Sequence, residues 1–326
     1  MTTESLTDLV NPSQTPAGEE HIDHLVIVGG GRMGQGIAVS AARRGIEVLL
    51  IEKDDESLQR SLTELAEGLT REIARWAMTE SEKKAIMSRI HGAIEFDDIA
   101  EQLYILEAVA ENLEAKRRVF AELDAHCCPE AIFITNTSTL SITELASATG
   151  RSDRVIGMHF LNPVSKVQMV ELVRGLNTSV DTFHKALALA ERLERTAIEV
   201  YESPGYVTTR VMMPLVNEAI QVLMEGVASA EDIDTAIRVG YELPHGPLAM
   251  ADQIGLDLIL NWLETLFRDL GDSKYRPCPM LRMLVRAGNL GVKTGQGFFR
   301  YDSEGRMVPG SGQTAAAYKR FLHEKQ

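Results

Sequence analysis

The chain has 326 residues, long for one domain and comfortable for two. Its 33 basic and 47 acidic side chains leave a formal charge of −14, with 44% apolar and 25% charged residues. That balance excludes a basic face for nucleic acid and a polybasic membrane anchor, and the ordinary apolar content excludes a disordered or collagen-like chain.

Residues 1–20 carry acids and no Lys or Arg. They fit neither a secretory leader nor an Arg-rich transit peptide, and read as a mobile polar tail on a cytoplasmic protein. From His24 onward, short apolar runs alternate with amphipathic stretches. The runs are HLVIV (24–28), EVLLIE (47–52), YILEAV (104–109), IFITN (132–136), RVIGMHF (154–160) and MVELV (169–173). Nearly continuous apolar character marks strands covered on both faces. Helices are predicted at 33–44 and 111–126, with a helical excursion over 71–90 that includes a start signal at Thr79-Glu80-Ser81-Glu82. Ser141-Ile-Thr-Glu144 is a capping-box pattern opening another helix. The alternation predicts an α/β fold, a doubly wound, mostly parallel Rossmann-type sheet.

Beyond a strand-like TAIEVY run (196–201), the pair Pro204-Gly205 ends this grammar, and helical patterns take over at 206–225, 230–240 and 257–270. The expected organisation is a tail (1–20), a dinucleotide-binding domain (21–203), an all-helical domain (204–302) and a C-terminal tail (303–326). Three cysteines, Cys127, Cys128 and Cys278, form no CxxC pair, so neither a disulfide framework nor a zinc site is expected. No apolar run approaches the ~18 residues of a spanning helix.

Gly29-x-Gly31-x-x-Gly34 follows the first strand and opens a helix. Its glycines allow a tight turn, close backbone approach to a pyrophosphate, and packing of helix on strand, while the helix end offers free N–H groups. By itself the pattern is equally a plain glycine turn. Glu52, eighteen residues after Gly34 at the end of the second strand, completes the context. A carboxylate there accepts hydrogen bonds from an adenosine ribose and repels a 2′-phosphate, which favours NAD over NADP, although Lys53 is adjacent.

His159 and Glu171 are polar residues in apolar strands, twelve positions apart. Burying either unpaired is costly. Paired, they fit a structural hydrogen bond as well as an acid–base dyad in which the carboxylate fixes the imidazole tautomer.

The ordered motifs GGGRMGQGIA (29–38), EAVAENLEAKRRVFAELD (107–124), TNTSTLSITELA (135–146), IGMHFLNPV (156–164), VELVRG (170–175), GVASAEDIDTA (226–236), GPLAMADQIGLD (246–257) and GVKTGQGFF (291–299) resemble the L-3-hydroxyacyl-CoA dehydrogenase family, in particular its bacterial short-chain members acting on 3-hydroxybutyryl-CoA. The resemblance spans about residues 24–301. It implies an NAD-dependent oxidation of an acyl-CoA substrate by a homodimer. His159 would be the general base, Glu171 its orienting partner, and Ser138 a contact to the substrate's 3-oxygen near the nicotinamide. Besides the glycine loop with Arg32 and Met33, the residues Glu111, Lys116, Asn162 and Lys293 would contact the cofactor.

On the CoA side the match is looser. Gly68 and Arg75 occupy the positions of the family's serine and lysine, with Arg71 one turn before Arg75 as a second cation for a CoA phosphate. The family's GF-x-VNR pattern reads Gly205-Tyr-Val-Thr-Thr209-Arg210, so Thr209 stands where an asparagine would complete the substrate site. Two other readings stay open: a dehydrogenase of a non-CoA hydroxy acid such as L-gulonate, and a catalytically idle, crystallin-like NAD-binding protein.

Overall fold

The computed structural model describes residues 22–314. The expected N-terminal tail lies outside the described residues, as do residues 315–326. Eight strands form one sheet: β1 (His24–Val28), β2 (Glu47–Ile51), β3 (Ile90–Ala93), β4 (Tyr104–Glu107), β5 (Ile132–Thr135), β6 (Val155–Phe160), β7 (Met169–Arg174) and β8 (Thr196–Tyr201). Their spatial order is β3-β2-β1-β4-β5-β6-β7-β8. Every residue of β4, β5 and β6 is buried, which is why these runs lack the alternation of a half-exposed strand.

All neighbouring strands run parallel except β6 and β7. Only residues 161–168 connect this pair. A link that short reverses the chain but cannot carry a parallel crossover, which needs about a dozen residues. The register sets His159 directly opposite Glu171. Strand order turns back between β1 and β4, so a crevice opens beyond their carboxyl ends, the usual ligand position in such sheets.

The sheet is flanked by α1 (Arg32–Arg43), α2 (Asp55–Ala74), α3 (Glu80–Met87), α4 (Leu113–His126), α5 (Ile142–Ala146) and α6 (Val180–Arg192). The excursion expected over 71–90 is corrected. Asp54 accepts a hydrogen bond from Ser57 N (2.7 Å) and starts a long helix well upstream of Arg71. That helix stops before Trp76, whose φ of 58° leaves the right-handed region. A full capping box between Thr79 and Glu82 restarts helix as α3. Ile90 belongs to β3, an IHGA strand too short for its period to be read.

The remaining helices are α7 (Thr208–Glu225), α8 (Ala230–Gly240), α9 (Pro247–Ile254), α10 (Leu256–Leu270) and α11 (Pro279–Arg286). They enclose a separate core that includes Val216, Ile220, Leu223, Ile259, Leu263 and Phe298. Among the described residues no helix is long and apolar enough to cross a membrane. Residues beyond Asp302 fold back on this part: Gln313 N donates to Phe298 O (2.9 Å) and Gln313 Nε2 to Gly297 O (2.7 Å).

Two buried aspartates lock the helical part. Asp234 caps α9 by accepting from Leu248 N and Ala249 N, both at 2.8 Å. Asp252 accepts from Phe298 N through Oδ1, and from Phe299 N and the Tyr301 hydroxyl through Oδ2, at 2.9, 2.9 and 3.0 Å. Asparagine offers only one acceptor oxygen, so Asp252→Asn turns an amide donor toward a backbone donor. We expect a loss of about 1–3 kcal/mol, the cost of an unmet buried N–H, seen as a lower urea midpoint. An unchanged midpoint would contradict this role.

Candidate active site

The turn from β1 into α1 is built by its glycines. Gly29 has φ 102°, and a Cβ there would lie 2.9 Å from the backbone of Ala108 and Val109. A Cβ on Gly34 would sit 1.9 Å from Gly29 O, so α1 begins closer to the strand than any side chain permits. Gly31 differs: a Cβ there would meet nothing within 4 Å. It is the N-cap of α1 and provides no side-chain cap. The space beside the start of α1 is therefore open, and the first-turn N–H groups of a helix, which have no partner within it, suit a pyrophosphate there. Arg32 and Met33, the first helical residues, flank that opening.

Glu52 reaches the same loop. Its Oε1 accepts from Gly30 N (2.8 Å) and from Ser61 Oγ (3.2 Å). The carboxylate thus stands beside the glycine turn at the end of β2, half-buried and still able to meet a ribose. The donor set and open cradle fit an adenine dinucleotide with an unphosphorylated ribose.

Beyond β4 and β5, Glu111 organises the loop that carries Ser138. Its Oε1 accepts from Ser138 N (2.9 Å), Thr139 N (3.2 Å) and Thr137 Oγ1 (2.6 Å). Ser138 is thereby fixed through its backbone, and its hydroxyl is left for other partners. Lys116 lies beneath rather than at the surface. It has 0% exposure, and its Nζ donates to Glu107 Oε1 (2.7 Å) and Val109 O (3.3 Å) and lies 3.6 Å from Glu111 Oε2. Glu107 also accepts from Thr135 Oγ1 (2.7 Å) and Val109 N (2.6 Å). The buried ion pair thus has its remaining hydrogen-bonding capacity met by neighbours, as burial of charge requires. Lys116, expected at the cofactor, is thus placed beneath the floor of the crevice.

His159 Nδ1 lies 2.7 Å from Glu171 Oε2. Glu171 has 0% exposure and is met from the other side by the start of α7. Val207 N (3.0 Å) and Thr208 N (2.9 Å) donate to Oε1, and Thr208 Oγ1 (2.7 Å) donates to Oε2. Burial pushes the Glu171 carboxyl up, but the hydrogen bond and charge of His159, with both Thr208 bonds, hold it below its ordinary value. The carboxylate only accepts, so Nδ1 must carry a hydrogen, leaving Nε2 as the ring nitrogen available to a substrate. Asn136 Oδ1 accepts from Phe160 N (2.9 Å), tying the ends of β5 and β6 beside this pair.

The other expected site residues are more scattered. Asn162 is exposed on the loop after β6, and Thr209 is buried in the first turn of α7. Lys293 Nζ is held by both Asp257 oxygens at 2.6 Å, so its cation is already paired within the helical part. Arg71, in the last turn of α2, and Arg75, its C-cap, are both exposed, and Arg71 lies 3.7 Å from Glu67. Sequence reading did not find Thr208, Tyr206, Asn136 or Glu107. Only the hydroxyl of Thr208 beside Thr209 offered a signal, and its partner is 37 residues away.

A dinucleotide cradle at the strand-order reversal, with a buried imidazole–carboxylate pair beside it, defines a nicotinamide-dependent oxidoreductase. Two family models then account for nearly all the described chain: 3-hydroxyacyl-CoA dehydrogenase, NAD binding domain, over residues 24–203, and 3-hydroxyacyl-CoA dehydrogenase, C-terminal domain, over residues 205–301. The chain belongs to the 3-hydroxyacyl-CoA dehydrogenase family, is an NAD-dependent enzyme of that class, and uses NAD as its cofactor.

It is 44% identical over 283 residues to the probable 3-hydroxybutyryl-CoA dehydrogenase of Bacillus subtilis, covering 87% of this chain and 99% of that one. It is 34% identical to the human mitochondrial hydroxyacyl-coenzyme A dehydrogenase, over 86% of this chain and 91% of that one. The crystal structure of (S)-3-hydroxybutyryl-CoA dehydrogenase from Ralstonia eutropha superposes with a TM-score of 0.80 at 41% identity, covering 86% of this chain and all of that one.

Two outcomes follow. Gly34→Ala forces the start of α1 away from Gly29 and should weaken NADH binding by roughly tenfold or more, read from NADH fluorescence. An unchanged Kd would contradict the cradle. Glu171 has a lowered folded pKa, so its stabilisation is present above its ordinary value of 4.5 and is lost as pH falls through the folded value. As pH falls below 4.5 the wild type should lose more stability than Glu171→Gln. Parallel pH profiles would show that Glu171 contributes none of the acid sensitivity.

Proposed function

We propose that the chain oxidises short-chain (S)-3-hydroxyacyl-CoA esters, 3-hydroxybutyryl-CoA foremost, to 3-ketoacyl-CoA, with His159 as general acid/base and Glu171 as its positioning partner. The observation that carries this reading is the 2.7 Å contact between His159 Nδ1 and a solvent-excluded carboxylate in the strand pair next to β5. The loop from Gly29 to Gly34 with Glu52 would hold NAD, which would supply the hydride acceptor for C3. His159 Nε2 accepts the hydroxyl hydrogen in that direction and returns it to the forming alkoxide in the reverse one. Glu171 keeps Nδ1 as the protonated nitrogen and stabilises the imidazolium.

Ser138 presents its hydroxyl to the 3-oxygen from a loop whose backbone Glu111 immobilises. Thr209 supplies a shorter hydroxyl contact from the first turn of α7. Arg71 and Arg75 meet CoA phosphates from the end of α2. Residues 204–302 form the opposite wall of the cleft and the interface of a homodimer. The enzyme works in the cytoplasm, with its three cysteines free. Short-chain preference is supported by the names of relatives more than 40% identical.

The test is an NADH absorbance assay with 3-ketoacyl-CoA esters of increasing length, repeated with NADPH. Turnover should be highest with the four-carbon ester and strongly favour NADH. Activity with free hydroxy acids but none with CoA esters would overturn the substrate reading. His159→Gln should lose about 10²–10⁴-fold in turnover while binding NADH normally. Wild-type-like turnover in that variant would overturn the assignment of the base.

A further inference from the structure

Among the described residues, four other than glycine adopt positive φ: Trp76, Glu194, Tyr206 and Glu242. Trp76, Glu194 and Glu242 are exposed, where strain is relieved easily. Tyr206, with φ 48°, is 3% exposed and lies between the sheet and α7. A bulky side chain holds that conformation only where its surroundings over-determine it, and such positions concentrate at functional sites.

What determines Tyr206 is visible on three sides. Its ring meets the His159 ring edge-on, with centroids 5.6 Å apart and planes at 61°. Its hydroxyl donates to Leu140 O at 3.0 Å. Its backbone leads directly into Val207 N and Thr208 N, the two donors on Glu171. Leu140 is two residues beyond Ser138, on the loop whose other anchor is Glu111. Burial pushes the Tyr206 phenol well above its ordinary pKa, so the hydroxyl remains a donor throughout the working range.

We propose that Tyr206 is a positioning residue for the reaction: its hydroxyl holds the Ser138 loop while its ring holds the imidazole of His159, so that one side chain sets the spacing between the acid/base group and the group that meets the 3-oxygen. This inference rests on the roles given to His159 and Ser138 under Proposed function. It also assigns the entry to the helical part a task in the chemistry. The segment that satisfies Glu171 is the same segment that aligns both other groups, through a residue that itself reaches no substrate.

The experiment compares wild type, Tyr206→Phe, Ser138→Ala and the double variant in 3-hydroxybutyryl-CoA oxidation, with NADH Kd and thermal midpoint measured alongside. Tyr206→Phe keeps the ring and loses the tether. Its kcat should fall by roughly 3- to 10-fold, the range expected for one neutral hydrogen bond, with KM moving less and NADH Kd unchanged. If the hydroxyl acts through Ser138, the double variant should lose little more than Ser138→Ala alone. Tyr206→Leu removes the ring as well and should lose more kcat than Tyr206→Phe, at equal NADH affinity.

A purely structural role predicts a lower thermal midpoint and rate losses that multiply in the double variant. Either multiplying losses or an unchanged kcat in Tyr206→Phe overturns the proposal. A wild-type protein inactive toward 3-hydroxyacyl-CoA would instead overturn the functional reading beneath it, and this proposal with it.

Discussion

A carboxylate without solvent needs its charge met by donors, and Glu171 is met by His159 Nδ1, Val207 N, Thr208 N and Thr208 Oγ1. The first donor belongs to the sheet and the other three to the segment that begins the helical part. The charge therefore does two things at once. It orients the imidazole and fixes where α7 starts against β7. Removing the carboxylate would leave buried N–H groups without a partner, whereas the intact arrangement satisfies every group. The helix end also carries partial positive charge, which favours an anion at that point. Acid–base geometry and the joining of the two parts are consequences of one interaction.

How much of this can be read from residues depends on the range of each contact. The glycine loop and Glu52 are legible because turn, helix start and strand end lie within thirty residues and follow one local rule. The dyad is half legible: two polar residues in apolar strands call for a partner, but that they partner each other follows from the antiparallel register of β6 and β7. The shortness of the 161–168 link makes the pair antiparallel, but nothing local announces the register itself. Tyr206 and Asn136 are illegible and Thr208 nearly so, because their roles consist of contacts across 24–66 residues.

Lys116 is a different case. The resemblance places it at the cofactor, but no local signal tells how deeply it lies. Tertiary packing pairs it with Glu107 and buries it beneath the crevice. The missed beginning of α2 has a simpler cause, since Asp54 caps a helix whose first turn is polar and gives no apolar period. The net charge of −14 belongs in the same account. NAD and acyl-CoA are both anions, so the whole-chain field gives no attraction toward either. Local devices are needed for such anions, and the proposed ones are the start of α1 for NAD and the exposed Arg71 and Arg75 for CoA phosphates.

The central claim is that Glu171 acts on chemistry through the tautomer and charge of His159 rather than through cofactor binding. Single-turnover hydride transfer in Glu171→Gln, followed by NADH absorbance with enzyme in excess of substrate, tests it most directly. The predicted result is a transfer rate lower by about 10²–10⁴-fold with NADH affinity retained, as expected when the partner of a general base is lost. A rate within a few-fold of wild type would contradict it.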